Sequence, residues 1–364
     1  SARPTMPDMN ENTAKKFMDI RKALARITEG HDLSLAEMQA VMGQIMTGEA
    51  TQAQIGGFLV GLRMKGESLD EITGAVKVMR QLAATVDIAG PHMVDIVGTG
   101  GDGANLFNVS TAAAFVVAAG GGQVAKHGNR SVSSSSGSAD VLEAAGVSLD
   151  LTTAQVAECV EKVGIGFMFA PQHHSAMRYA IGPRREMGIR TVFNILGPMT
   201  NPAGVKRLLV GVYDAALCRP VAEVLDRLGA EHAMVVHSAD GLGEISAATA
   251  THVVEARHGE IAEFELAPAD VGLDAVSLDG LEVESALQSL ELIRDALSGA
   301  PGDRAERART VVALNAGAAL YVAGLQDSVA DGVAEAMRLL QSGSPWARVE
   351  ALADLTATMK EGSE

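Results

Sequence analysis

"DIVGTGGDGANLFNVSTAAAF", residues 95–115, places four glycines within positions 98–103, between an apolar run and an alanine-rich stretch that opens on Ser-Thr. An apolar run ending at Val97, a glycine loop and a helix starting near Asn108 spell strand, turn, helix. Glycines let backbone amides face a ligand without interference from a Cβ, and a helix N-terminus adds roughly half a positive charge. An anion, most often a phosphate, suits such a loop. A tight strand-to-helix turn with no ligand is the competing reading. Asp102 does not suit a bare anion. A carboxylate beside phosphates points to a bridging cation or to sugar hydroxyls, and it can equally cap a turn.

The same grammar repeats downstream. Further strands are expected at 123–125, 166–170, 208–212 and 233–236, in addition to 93–97. Helices are expected at 110–119, 138–145, 153–163 and 217–228, then at 305–323 and finally at 328–341. Alternating strands and helices predict a largely parallel sheet with helices on both faces. The first 85 residues read differently, as helices alone. A helix from about Thr13 to Ile27 precedes three S/T-x-x-E/Q capping boxes: Ser34 with Glu37, Thr51 with Gln54, and Ser68 with Glu71. The chain therefore divides into a flexible tail at 1–10, a small helical domain at 11–83, and a large α/β domain joined through a hinge at "ATVDIAGP", 84–91. The helical spacing of "HHSAMRYAIGPRRE" is expected to return the chain to the helical domain over about 172–190. That leaves 84–171 and 191–364 for the α/β domain. His173 and His174, adjacent on a helix, do not chelate one metal well, so one is expected packed and the other exposed.

Composition narrows the function. At 364 residues, 47% of them hydrophobic and 20% charged, the chain is globular and long enough for a large domain plus a smaller one. A net charge of −16 disfavours broad nucleic-acid binding, while short clusters such as Arg184-Arg185 and Lys126 to Arg130 leave room for a small anionic ligand. No run of 18 apolar residues suggests a membrane span. Cys159 and Cys218 lack metal-ligand spacing, and a reducing cytoplasm is the expected setting.

Two more stretches carry chemistry. "AKHGNRSVSSSSGSAD", 125–140, clusters Lys126, His127, Asn129 and Arg130 with hydroxyls up to Ser138, which suits a phosphorylated or diphosphate ligand; a solvated loop is the bland alternative. "VVHSADGLGEIS", 235–246, brings Asp240 and Glu244 into a loop after a strand, where a hard cation finds oxygen ligands, although acids in such loops more often face solvent. H-E-x-x-H, G-x-S-x-G and Walker patterns are absent.

Taken in order, "GTGGD", "NVST", "KHGNR", "GSAD" and "RTVFNILGPMTNP" closely resemble the anthranilate phosphoribosyltransferase family, and the likeness extends to "ALNAGAALYVAG" ending at Gly324. The resemblance implies a small α-helical domain plus a large α/β domain whose central, mostly parallel sheet is flanked by helices, of the nucleoside phosphorylase/phosphoribosyltransferase type, usually as a homodimer joined through the helical domains. It implies Mg²⁺-dependent transfer of the 5-phosphoribosyl group of phosphoribosyl pyrophosphate (PRPP) to the amine of anthranilate. Gly98, Gly101, Asp102, Asn108, Val109, Ser110 and Thr111 would contact PRPP. So would Lys126, His127, Gly128, Asn129, Arg130, Ser131, Val132, Ser133, Ser134 and Ser138. Gly98, Asn129 and Arg184 would face anthranilate, with Arg184 addressing its carboxylate, and Lys126, His127 and Arg184 would carry the catalytic work. Ser110 and an acidic pair after "DGL" would serve the metal.

This chain departs from the family pattern there: it reads Gly243-Glu244 where the family reads Asp-Glu. Asp240 is a candidate substitute. Ser135 also stands where a basic residue is common. Two other readings share the architecture: a nucleoside phosphorylase-like enzyme, and a non-catalytic nucleic-acid-binding paralogue.

Overall fold

The computed structural model describes residues 18–131 and 136–362. In chain order it opens with four helices, α1 (Ile20–Thr28), α2 (Leu35–Met46), α3 (Gln52–Lys65) and α4 (Leu69–Leu82). Then follow β1 (Met93–Gly98), α5 (Val109–Ala119), β2 (Gln123–Gly128), α6 (Ser138–Ala144), α7 (Thr153–Val163) and β3 (Ile165–Phe169). Three further helices interrupt the sheet: α8 (Ala170–His173), α9 (Arg178–Met187) and α10 (Phe193–Leu196). The remainder is β4 (Arg207–Gly211), α11 (Cys218–Arg227), β5 (His232–Ser238), β6 (Thr251–Arg257), β7 (Glu260–Leu266), α12 (Ala286–Leu297), α13 (Asp303–Val322), α14 (Val329–Ser342) and α15 (Ser344–Glu361).

Two compact units result, one comprising residues up to Ala83 with His174–Thr200, the other Ala84–His173 with Asn201–Glu364. In the helical unit the three capping boxes form as spelled: Ser34, Thr51 and Ser68 each accept the N–H of the residue three on, and Glu37, Gln54 and Glu71 each accept the cap's own N–H. Each such cap stabilises its helix by about 1 kcal/mol. The helices bury Ile27, Met38, Met42, Ile45, Ile55, Phe58, Leu59 and Leu62 completely or nearly so. Burial of side chains this size contributes roughly 1.5–3 kcal/mol apiece.

Two expectations are modified in this unit. Of the helix expected from about Thr13 to Ile27, the described part begins at Ile20, where the Asp19 carboxylate accepts the Lys22 N–H at 2.9 Å and caps it; residues 13–17 lie outside the described residues. The second helical segment continues past 190 to Thr200. Arg63 donates to the Arg190 carbonyl (2.6 Å) and Arg80 to the Met199 carbonyl (2.8 Å), which ties 190–199 to α3 and α4.

The α/β unit holds a seven-stranded sheet in the order β3-β2-β1-β4-β5-β6-β7. The first five strands in that order are parallel, and β6 and β7 are added antiparallel. α5 and α13 are buried nearly all round, alanine and valine letting them pack closely in one continuous core with the sheet. β6, β7, α12 and α15 were not expected from the sequence, and the 329–342 helix is not the last. β2 runs three residues beyond Ala125 because Lys126, His127 and Gly128 pair in register with Phe167, Met168 and Phe169 of β3. The chain builds β1, β2, β3 outward in one direction, then returns to place β4 on the other side of β1. The sheet therefore has a topological switch point between β1 and β4, where open α/β sheets characteristically bind ligands at the strands' carboxyl ends.

Candidate active site

Gly98 ends β1 and pairs with Gly211, which ends β4, so the two strands finish side by side at the switch point. A pocket opens there, lined by Gly98, Ser110, Gly211, Gly243, Glu244 and Asn315 among others. The glycines are required by closeness. A Cβ on Gly211 would lie 1.8 Å from the Gly243 carbonyl oxygen, so the strand end and the 242–245 loop touch backbone to backbone.

The glycine loop leaves β1 through Gly100, Gly101 and Gly103, whose φ values of 67°, 75° and 72° favour glycine. Asp102, between them, accepts the Ala104 N–H on Oδ1 (3.1 Å) and the Gly243 N–H on Oδ2 (3.0 Å). It thus caps the turn and also ties the glycine loop to the 243 loop. Farther on, Phe107 donates to the Leu281 carbonyl and Val283 to that of Asn105, so a second segment holds the loop's exit.

At the start of α5, Ser110 lines the pocket, while Thr111 is buried with its hydroxyl oxygen unpartnered among the described residues. Val109 is wholly buried and its N–H bonds the Phe107 carbonyl. The Asn108 side chain is committed inside the protein. Its Oδ1 accepts from Ser289 (2.7 Å) and Ser136 (2.9 Å), and its amide donates to the Ser136 carbonyl (3.3 Å). Asn108 therefore holds the end of the serine loop to α12.

Lys126 and His127 are buried in β2. The Lys126 ammonium donates to the Ile96 carbonyl and lies 3.4 Å from the Oγ of Ser110, which lines the pocket. Burial lowers its pKa, while Asp95 and Glu244 oppose that shift. Asp95, fully buried in β1, is pushed up to about 6 by burial, against the pull of Lys126 and a hydrogen bond from Asn201 (2.8 Å). Asn201 also donates to the Ala125 carbonyl (2.9 Å) and so bridges β1 and β2. Glu244 is half-buried and pushed up to about 8, first by burial and then by the negative charge of Asp102, with Lys126 opposing.

The remaining expected residues divide. Gly128 and Ser138 are pressed together, a Cβ on the glycine coming 2.2 Å from the serine hydroxyl; Asn129 and Ser131 follow in the adjoining turn. Arg130 does not point freely at a ligand: its guanidinium pairs with Asp140 (3.2 Å) and Glu143 of α6 and stacks over Phe169. Val132, Ser133, Ser134 and Ser135 lie outside the described residues. Asp240 is tied within its own loop. Its carboxylate accepts from Ser238 and, at 2.9 Å, from Ser246, closing its own loop. Arg184 belongs to α9 of the helical unit, half-buried beneath Phe193, and burial lowers its pKa. Both histidines are buried, contrary to expectation: His173 Nδ1 is 2.8 Å from the Ala84 carbonyl and His174 Nε2 is 2.9 Å from that of Thr200.

Among the described residues no group of three or more His, Cys, Asp or Glu converges as a metal cage. Ser110 Oγ and the Glu244 carboxylate on one pocket still fit Mg²⁺, which keeps much of its shell as water and substrate phosphate and takes one or two carboxylates from protein.

Residues 21–83 match the glycosyl transferase family helical bundle domain, and residues 90–346 match the glycosyl transferase family a/b domain. The chain is 60% identical to anthranilate phosphoribosyltransferase of Hahella chejuensis over 94% of its own length and 99% of that protein's. It is 61% identical to the Cellvibrio japonicus protein of that name over 93% and 99%. This chain belongs to the anthranilate phosphoribosyltransferase family. A crystal structure of the Thermus thermophilus member aligns with a TM-score of 0.86 at 40% identity, covering 92% of this chain and 99% of that one. A Saccharomyces cerevisiae member in complex with 4-fluoroanthranilate aligns at 0.81 and 25% identity, over 97% and 100%. Neither the nucleoside phosphorylase-like nor the nucleic-acid-binding reading is favoured by these family members.

Sequence reasoning missed three site residues. Asp95 and Asn315 both leave a mark in the sequence, a polar residue within an apolar run, "MVDIVG" for the one and the 311–322 part of α13 for the other. Asn201 leaves none beyond its place in "GPMTNP".

Proposed function

We propose that this protein transfers the 5-phosphoribosyl group of PRPP to the amine of anthranilate, giving N-(5-phosphoribosyl)anthranilate and pyrophosphate in tryptophan biosynthesis. The observation that carries the reading is the convergence of Gly98, Asp102, Ser110, Lys126 and Glu244 at the β1/β4 switch point of a chain about 60% identical to family members. In the reaction the anomeric C–O bond to pyrophosphate breaks, the amine nitrogen bonds that carbon, and the nitrogen loses a proton. Negative charge grows on the leaving diphosphate, and Lys126 with the loop amides would stabilise it. An aromatic amine is already neutral at pH 7, so positioning supplies much of the rate, and no activated base is required. Mg²⁺, when bound, neutralises the diphosphate; Ser110 and Glu244 would hold it. Arg184 would address the anthranilate carboxylate, and Gly98 and Asn129 its neighbourhood.

The test is loss of anthranilate fluorescence on adding PRPP, titrated with Mg²⁺. Metal-dependent turnover is expected; PRPP binding without turnover at any Mg²⁺ concentration would overturn the reading. Exposed Met64, Ile181 and Ile189 on the helical unit support a homodimer through that unit, which light scattering in solution checks. Two buried free thiols, Cys159 and Cys218, support a cytoplasmic setting. Among the described residues, no helix is long and apolar enough to cross a membrane.

A further inference from the structure

Asn315 sits in α13, between Leu314 and Ala316 in the apolar 311–322 part of that helix, and it is almost wholly buried. A primary amide buried there is costly unless its groups are paired. Its Oδ1 accepts the Ile245 N–H at 2.9 Å, and its amide donates to the Ile245 carbonyl at 3.0 Å and to the Val311 carbonyl at 2.9 Å. The orientation is therefore fixed, because the flipped amide would set its oxygen against two carbonyls. One side chain grips both polar groups of the residue that follows Glu244. On the other flank, the Gly243 N–H is held by Asp102. Glu244 is thus framed between two anchored backbone positions and presented to a pocket that Asn315 also lines.

We propose that Asn315 is a positioning residue for Glu244, holding its backbone so that the carboxylate meets the cation at the switch point. The inference rests on the reading of Glu244 as the metal-holding acid. Loss of such support around a metal ligand typically weakens metal affinity about 10–100-fold. The test measures Mn²⁺ affinity of the full chain by electron paramagnetic resonance, with thermal midpoints and separate KM values for PRPP and anthranilate. Asn315→Ala is expected to weaken Mn²⁺ binding about 10–100-fold and raise the KM for PRPP, leaving that for anthranilate near native. Leu320→Ala, a fully buried position on the same helix packed towards Gly120, is expected to lower the midpoint without moving Mn²⁺ affinity. Asn315→Asp keeps the acceptor for the Ile245 N–H but opposes a carboxylate oxygen to the Ile245 carbonyl, and the same weakening is expected. Native Mn²⁺ affinity in either Asn315 variant overturns the proposal. Glu244→Gln separates the two claims: if it leaves Mn²⁺ binding intact, the metal reading itself fails, and if it abolishes binding while Asn315→Ala does not, only the positioning role fails.

Discussion

Burial and the nearby Asp102 push the Glu244 carboxyl up to about 8, and its metal affinity should follow pH accordingly. With a pKa of about 8 against an ordinary 4.5, a cation must displace a proton through the neutral range. Affinity should therefore rise by up to about tenfold per pH unit from pH 6 and level off above pH 8. Mn²⁺ titrations at pH 6, 7 and 8 check this, and Glu244→Gln should flatten the dependence. Asp95 makes a separate prediction, about folding. Its pKa, raised from 3.8 to about 6, means that the folded chain binds the proton more tightly than the unfolded one. Stability from this group is greatest below pH 3.8 and is lost as pH rises through 6. Urea unfolding between pH 4 and pH 6 should show the native protein losing stability relative to Asp95→Asn. The sequence pointed to Glu244, Lys126 and the glycines because their residue types announce ligand chemistry. Arg130 and Asn108 share those types, and in the structure they pair with Asp140, Glu143, Ser136 and Ser289. These partners are supplied by folding, and composition does not show them.

At the scale of elements, the ends of β1 and β4 and the 242–245 loop form one backbone-to-backbone junction, and Gly211 is its narrowest point. Gly211→Ala should push the Gly243 carbonyl away, displace Glu244, and raise the KM for PRPP at least tenfold. Circular dichroism should show the fold retained, and a kinetic profile like the native one would contradict the packing described here. Helices with capping boxes and strands followed by glycine were legible because local chemistry specifies their ends. β6 and β7 were not. Their strand partners are antiparallel additions at the sheet's edge, and β7 mixes Glu260, Glu263 and Glu265 with few buried residues. α12 did carry a local signal, Ser285 capping the Gln288 N–H ahead of an amphipathic run, and it was overlooked; α15 follows Gly343 with no side-chain cap to announce it.

For the whole molecule, binding and folding are linked. PRPP with Mg²⁺ should raise the thermal midpoint in proportion to the logarithm of ligand concentration, by about 2.7 kcal/mol of stability at a hundred times Kd. Differential scanning fluorimetry checks this, and Lys126→Ala should abolish the shift. The two-unit organisation was read from the change of grammar near residue 84. The return point was placed too early because Arg63 and Arg80, which claim residues 190–199 for the helical unit, act over a long sequence distance. That interleaved connectivity also sets an order on the ribosome. The four N-terminal helices emerge first but lack the 174–200 segment that completes their unit, and β1, β2 and β3 are made in between. When the helical unit has all its parts, β1 is still a sheet edge, its far side unpaired until residues 207–211 leave the exit tunnel. The nascent chain thus passes through a stage with one finished unit and one open sheet. That stage, more than the finished protein, is where chaperones have a surface to protect.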